Sequence, residues 1–209
     1  MMINVRQEDL LPPAEAVGEQ VPGEVQDAIR TLLRWAGDDP DREGLFDTPE
    51  RVGRAWRDYC SGYREDPSVH LQAAFGEVGG YNEIVVLRDI PFQSRCEHHL
   101  APIVGTASIA YLPADRIIGI SELAQVLHRY ARRLQFQERL TAEVAQCLWS
   151  SLRPQGIAVV VKASHGCMTS RGVRTLNVNM VTSKLLGCFK DDAISRNTAL
   201  AILGIGTSK

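Results

Sequence analysis

Cys96-Glu97-His98-His99 and, much later in the chain, His165-Gly166-Cys167 gather two thiols and three imidazoles into two short segments. Sulfur and imidazole nitrogen are the donors that Zn²⁺ takes, at about 2.0–2.3 Å. Within Cys96-x-x-His99 the two ends can close on one ion, and Cys167 can supply a third donor. Three protein donors leave a fourth position for water, the arrangement of a catalytic zinc rather than a structural one. His98 and His165 then stand as spare imidazoles beside an activated water, where proton transfer would need them. A lone cysteine is more often a small buried apolar residue. Cys60, Cys147 and Cys188 are read that way, and the company of histidines separates Cys96 and Cys167 from them.

The elements that must position these residues can be read from periodicity. Pro12, Pro13, Gly18, Pro22 and Gly23 break any pattern, so residues 1–22 are expected to form a flexible arm. Val25, Ile29, Leu32, Leu33 and Ala36 recur at helical spacing, and Thr48-Pro49 opens a second helix carrying Val52, Ala55, Trp56 and Tyr59. These helices make an N-terminal region over residues 23–75, ahead of a catalytic domain over residues 76–209. Tyr81–Ile90 and Gly105–Leu112 read as strands rich in β-branched residues. A helix capped by Ser121 carries Leu123, Val126, Leu127, Tyr130, Ala131 and Leu134, with His128 expected on its polar, solvent-facing side. A further helix carries Leu140, Val144, Cys147, Leu148 and Leu152. Strands over Ile157–Val161 and Leu176–Leu186 and a helix over Asp191–Leu203 complete the order. The expected class is α+β: an antiparallel sheet with helices on one face, whose exposed edges subunit pairing could cover.

Composition bounds the function. With 209 residues, 44% hydrophobic and 23% charged, the chain can hold one good core. A net charge of −2 gives no reason to expect nucleic-acid or anionic-membrane binding. No stretch is apolar enough to span a bilayer, and Met1–Glu19 lacks the basic and apolar regions of a signal peptide. Five scattered cysteines fit a reducing cytoplasm better than a disulfide framework.

Several separated motifs, in order, carry a resemblance. They are Thr48-Pro49-x-Arg51-Val52, Cys96-Glu97-His98-His99, Gln135-x-Gln137-Glu138-Arg139-Leu140-Thr141, His165-x-Cys167-Met168 and Arg171-Gly172-Val173. From about Ala28 onward the chain resembles the GTP cyclohydrolase I family of zinc enzymes, which opens pterin and folate biosynthesis. The resemblance implies the tunnelling fold, a toroidal homo-oligomer, a decamer, with sites shared between subunits, and conversion of GTP and water to 7,8-dihydroneopterin triphosphate and formate. It implies that Cys96, His99 and Cys167 hold Zn²⁺, that His165 protonates purine N7, and that His98 is a second proton-transfer group. Glu138 and the Gln137 backbone match the guanine anchor, since a carboxylate accepts from both the N1–H and the amino group of guanine. Ser121 matches a hydroxyl near the ribose, and Arg171 a phosphate-binding guanidinium. Taken alone, Glu138 reads as an acid at a helix start, and Glu97 as either a solvated charge or a partner that orients the ligands.

The chain departs from the family where the triphosphate would lie. After the serine the family usually has Lys, and Arg three residues beyond that; here these positions are Glu122 and Gln125. Repulsion between unit charges at about 4 Å near a surface is on the order of 1 kcal/mol or more per pair, and each lost charge-assisted contact forfeits about 1.5–3 kcal/mol. Lys162 and Ser164 stand where the family is commonly acidic, so Glu122 and Lys162 could have exchanged partners. A rebuilt phosphate pocket is therefore expected. Three readings follow: a GTP cyclohydrolase I; a related zinc hydrolase opening a guanine-like substrate with fewer or no phosphates; and a non-catalytic zinc-binding oligomer. A zinc nucleoside deaminase is disfavoured, because its His-x-Glu and Pro-Cys-x-x-Cys elements are absent.

Overall fold

Alternation of inward and outward side chains along the first strand decides which face Cys96 occupies. The computed structural model describes residues 20–73, 81–176 and 178–205, and within it strand β1 runs from Val85 to Cys96. Val85 and Leu87 pack on the core, and then the pairing with strand β2 (Pro102–Leu112) slips between Leu87 and Ile90. Asp89 takes φ +57 at this bulge, and its N–H donates to Ser108 Oγ at 3.1 Å. One extra residue reverses the parity of a strand. Beyond the bulge Ile90, Phe92, Ser94 and Cys96 therefore share one buried face, and Arg95 on the opposite face is buried as well. The expected strand end at Ile90 was too early: the broken alternation and Pro91 concealed the second half of one continuous strand.

Helices α3 (Ile120–Ala131) and α4 (Gln137–Leu152) follow, separated by the two-residue strand β3 (Leu134–Gln135). Strand β4 (Gly156–His165), the single-turn α5 (Gly166–Thr169) and strand β5 (Met180–Gly187) come next. The short α6 (Cys188–Asp191) leads into α7 (Ala193–Ile202), where Asp192 caps the helix by accepting from Ser195 N–H. The strand order is β3-β1-β2-β4-β5. All neighbours are antiparallel except β3, which runs parallel to the end of β1. The short β3 went unseen in the sequence, where Leu134 looked like the end of the α3 stripe.

Leu123, Val126 and Leu127 of α3 and Leu140, Val144 and Leu148 of α4 are fully buried against Ile109, Tyr111, Ile157, Val159 and Val161 of the sheet. Each such side chain contributes about 1.5–3 kcal/mol of burial. The expected placement of helices on one face holds for this pair. The alternate positions Ala110, Ala158 and Val160 face the other way, onto Phe189 of α6 and Ala199 and Leu203 at the chain end. Near-continuous apolar runs such as Ile157–Val161 belong to strands covered on both faces.

The described residues divide into two compact units, one ending at Ser61 and one beginning at Gly62. The first holds α1 (Gly23–Trp35) and α2 (Thr48–Tyr59), which pack on each other. The apolar stripe of α1 is buried at Ile29, whereas Leu32 and Trp35 are exposed. Residues 1–19 of the expected arm lie outside the described residues. Val21 is buried, and a Cβ on Gly53 of α2 would stand 2.4 Å from its Cγ1, so glycine permits this close approach.

His128 corrects an expectation. Rather than facing solvent it is buried on α3, and its Nε2 has no hydrogen-bond partner among the described residues. Burial, with the nearby Arg132 and Arg129 charges, lowers its pKa to about 4. The unfolded chain takes up this proton near pH 6.5 and the folded chain only near 4. Between those values the unfolded state binds more protons, so stability falls as pH drops through the window. The full contribution is on the order of 3 kcal/mol. Urea unfolding of His128→Leu between pH 7 and pH 4 should lose this component and show a flatter pH slope than the parent chain.

Candidate active site

Strands β1 and β4 both run antiparallel to β2 and so finish at the same end of the sheet. Arg95 stands opposite Pro102, and Ile103 opposite His165, which leaves only the start of β2 between the two strand ends. After Cys96 the chain turns tightly: Leu100 N–H donates to Cys96 O at 2.7 Å, and Leu100 takes φ +57. The turn carries Glu97, His98 and His99. After His165, α5 carries Cys167 back over β2. A Cβ on Gly166 would lie 2.9 Å from Pro102 Cδ and 3.0 Å from Pro102 O, so a glycine is needed for this approach.

The result is a cluster of three donors. One ligand atom from each of Cys96, His99 and Cys167 lies within 4.8 Å of the others, close enough for one ion to draw them together. Cys96 is buried, Cys167 half-buried and His99 exposed. Burial and the neighbouring Cys96 thiol push the Cys167 thiol up, while the Arg171 guanidinium pulls it part of the way back. A divalent cation would reverse that balance, since coordination favours the thiolate. Two sulfurs and one imidazole, with no carboxylate among them, fit zinc far better than a hard cation.

The second histidine pair divides. His98 is exposed, with Nδ1 3.9 Å from Cys96 Sγ and Nε2 3.7 Å from Glu97. His165 is half-buried, and its Nε2 lies 2.8 Å from Gln137 Oε1. Burial lowers the His165 pKa, and the Glu138 carboxylate opposes this. Gln137 and Glu138 begin α4, and the parallel pairing of Cys96 with Gln135 brings that helix start to the same sheet end. Gln137 is fully buried, whereas Glu138 is exposed in the first turn, where the helix dipole suits a carboxylate.

Ser121 sits elsewhere. Among the described residues, neither it nor Glu122 or Gln125 has a hydrogen bond or ion pair to Cys96–His99, Glu138 or His165–Cys167. The helix cap is Gly119, not Ser121. The Ser121 hydroxyl donates to Glu122 Oε2 at 2.8 Å, and the Glu122 carboxylate folds back over Gly119, where an added Cβ would meet it at 2.3 Å.

Residues 25–204 match the GTP cyclohydrolase I family. The chain belongs to that family. The GTP cyclohydrolase 1 of Hyphomonas neptunium is 46% identical over 194 residues, covering 93% of this chain and 94% of the relative. That of Allorhizobium ampelinum is 50% identical over 169 residues, covering 81% and 84%. Among solved structures, the archaeosine synthase QueF-Like in the apo form is similar at 18% identity and a TM-score of 0.43, over 51% of this chain and 96% of that one. The tunnelling fold expected of a GTP cyclohydrolase I is the architecture described above, two antiparallel strand pairs with α3 and α4 between them in the chain.

Two side-chain roles beside the cluster were not read from the sequence, where Arg139 was only a motif residue and Gln137 was expected to act through its backbone. Arg139, in the first turn of α4, donates from Nη2 to Glu97 and to Leu134 O, and from Nε to Gln135 Oε1 at 2.9 Å. Its guanidinium lies 4.6 Å from the centroid of the Phe136 ring. Glu97 N–H donates to Gln135 O at 3.0 Å, so the turn is tied to β3 through both its backbone and its side chain. Glu97 is thus paired with Arg139 rather than a free charge. The second is the Gln137 side chain, expected to matter only through its backbone. Spacing could have suggested Arg139, which stands four residues after Gln135, but nothing local points to Glu97 as its partner. Replacing Arg139 with Met should lower zinc affinity about ten- to a hundredfold, read by competition with a chromophoric chelator. An unchanged affinity would show that the clamp does not hold the turn.

Proposed function

We propose that this chain catalyses the GTP cyclohydrolase I reaction, opening the guanine imidazole ring at C8, releasing formate and yielding 7,8-dihydroneopterin triphosphate. The observation that carries the reading is the meeting of the Cys96, His99 and Cys167 donors with His165 and the α4 start at one end of the sheet. Membership of the family, with relatives named GTP cyclohydrolase 1 at 46% and 50% identity, supports it.

Cys96, His99 and Cys167 would hold Zn²⁺, which when bound supplies Lewis-acid activation of water. Glu138, exposed at the helix start, is suited to accept from the guanine N1–H and amino group; adenine lacks that donor pair. His165, close enough to feel the Glu138 charge, would hand a proton to purine N7, and His98 would serve a second transfer in the later ring opening. Arg171, near enough to Cys167 to affect its thiol, is suited to a phosphate. Ser121 serves the ribose in this reading. Its separation from the cysteines within one chain agrees with sites completed across a subunit boundary, and we assign a homo-oligomer, a decamer, on the family resemblance. The five cysteines are all free, in keeping with a cytoplasmic enzyme. Among the described residues no helix is long and apolar enough to cross a membrane.

Glu122 favours a qualification of substrate. Its carboxylate, held at the α3 start, replaces a cation where a triphosphate would approach. Formate release from GTP, GMP and guanosine by the zinc-loaded protein tests the reading, with GTP turnover expected. Faster release from guanosine would favour the hydrolase of less phosphorylated substrates, and inertness toward all three a non-catalytic zinc oligomer. The double variant Glu122→Lys with Gln125→Arg should lower KM for GTP by about ten- to a hundredfold, at 1.4 kcal/mol per factor of ten, and leave guanosine kinetics unchanged.

A further inference from the structure

The hydrogen bonds around Gln137 have only one consistent set of directions. Its Nε2 lies 3.0 Å from Val161 O, 3.0 Å from Met180 O and 3.1 Å from Thr182 Oγ1. Backbone carbonyls only accept, so the amide nitrogen must face them. The hydroxyls agree with this. Thr141 Oγ1 must donate to Gln137 O, at 2.7 Å, because a carbonyl cannot donate. The 2.7 Å contact between Thr141 and Thr182 then has Thr182 as donor, so toward Gln137 its oxygen acts as an acceptor that shares one of the two amide hydrogens with a carbonyl. Gln137 is fully buried, and reversing its amide would set its oxygen against two carbonyl oxygens. Its Oε1 is therefore fixed toward His165 Nε2, at 2.8 Å.

An amide oxygen only accepts, so Nε2 of His165 must carry a hydrogen. Among the described residues no hydrogen-bond partner engages Nδ1 of that ring. We propose that the Gln137 side chain is a positioning residue that locks His165 in the Nε2–H tautomer and leaves Nδ1 as the nitrogen that exchanges protons with substrate. In the acid step the Nδ1–H bond of the imidazolium breaks and a purine N–H bond forms, so the positive charge passes to the purine. The ring left behind is the neutral Nε2–H form that Gln137 already accepts from, and it can take a proton back at Nδ1 without turning. The same constraint on a catalytic imidazole governs proton-transfer triads, where losing the orienting acceptor leaves the wrong tautomer. The choice of purine as proton acceptor rests on the GTP cyclohydrolase I reading; the tautomer does not.

The test is ¹⁵N solid-state NMR of the zinc-loaded full chain with labelled histidine, the His165 signals being those lost in His165→Asn. The expected spectrum shows a protonated Nε2 and a bare Nδ1 for the neutral ring. Gln137→Met should yield a mixture of tautomers and a kcat about ten- to a hundredfold lower, with KM for GTP within about threefold of the parent, as for a group acting on the chemical step. A parent spectrum with protonated Nδ1 would overturn the inference, and so would Gln137→Met with an unchanged tautomer and unchanged kcat. Should Gln137→Met fail to fold, the parent spectrum still decides. Failure of the parent enzyme to release formate from GTP would defeat the functional reading and leave the tautomer measurement intact.

Discussion

Two strands that flank a third and both run against it must end on the same side. That constraint, imposed by β1 and β4 on either side of β2, brings Cys96 and Cys167 together although the chain between them makes two helices and three strands. The parallel two-residue pairing of β3 with the end of β1 adds the start of α4 to the same place. The meeting of the donor atoms, the His165 imidazole and the helix terminus follows from sheet register. Strand ends, the single-turn α5 and the start of α4 carry Cys96, His165, Cys167, Gln137 and Glu138, while His98 and His99 stand on the turn after Cys96, which Arg139 holds through Glu97.

Residue types with a strong local signature could be read directly. The Cys-x-x-His spacing, the β-branched run of Ile157–Val161 and the stripes of α3 and α4 each announced an element or a chemistry, and the structure has them. What could not be read shares a physical cause: dependence on a partner distant in the chain. His128 looked polar because its own helix face says nothing about the residues packed over it. Ser121 looked like a cap because serine usually is one, yet Gly119 takes that position and the hydroxyl turns to Glu122. The bulge at Asp89 hid half of β1 because a parity change mimics the end of a strand. Gln137 was visible as a motif residue, but its three acceptors come from β4 and β5.

The α3 start shows how local and functional demands can oppose each other. A carboxylate in the first turn of a helix is favoured by about 0.3–1 kcal/mol. Glu122 takes that benefit and also accepts from Ser121. A lysine at the same point would meet the positive end of the helix dipole, so a cation kept there serves a ligand rather than the fold. In this chain the local preference and the residue agree.

The Asp89 bulge also limits how this region can change over evolutionary time. Downstream of it, buried and exposed positions alternate from Ile90 to Ser94, and Cys96 keeps the phase of the buried set. Substitutions there can drift within each face, but gain or loss of a single residue between Ile90 and Cys96 would swing the sulfur to the far side of the sheet and strand it from its counterpart on α5. An insertion that preserves the cluster therefore belongs in a connection that bears no phase, such as the one joining Leu112 to Ile120.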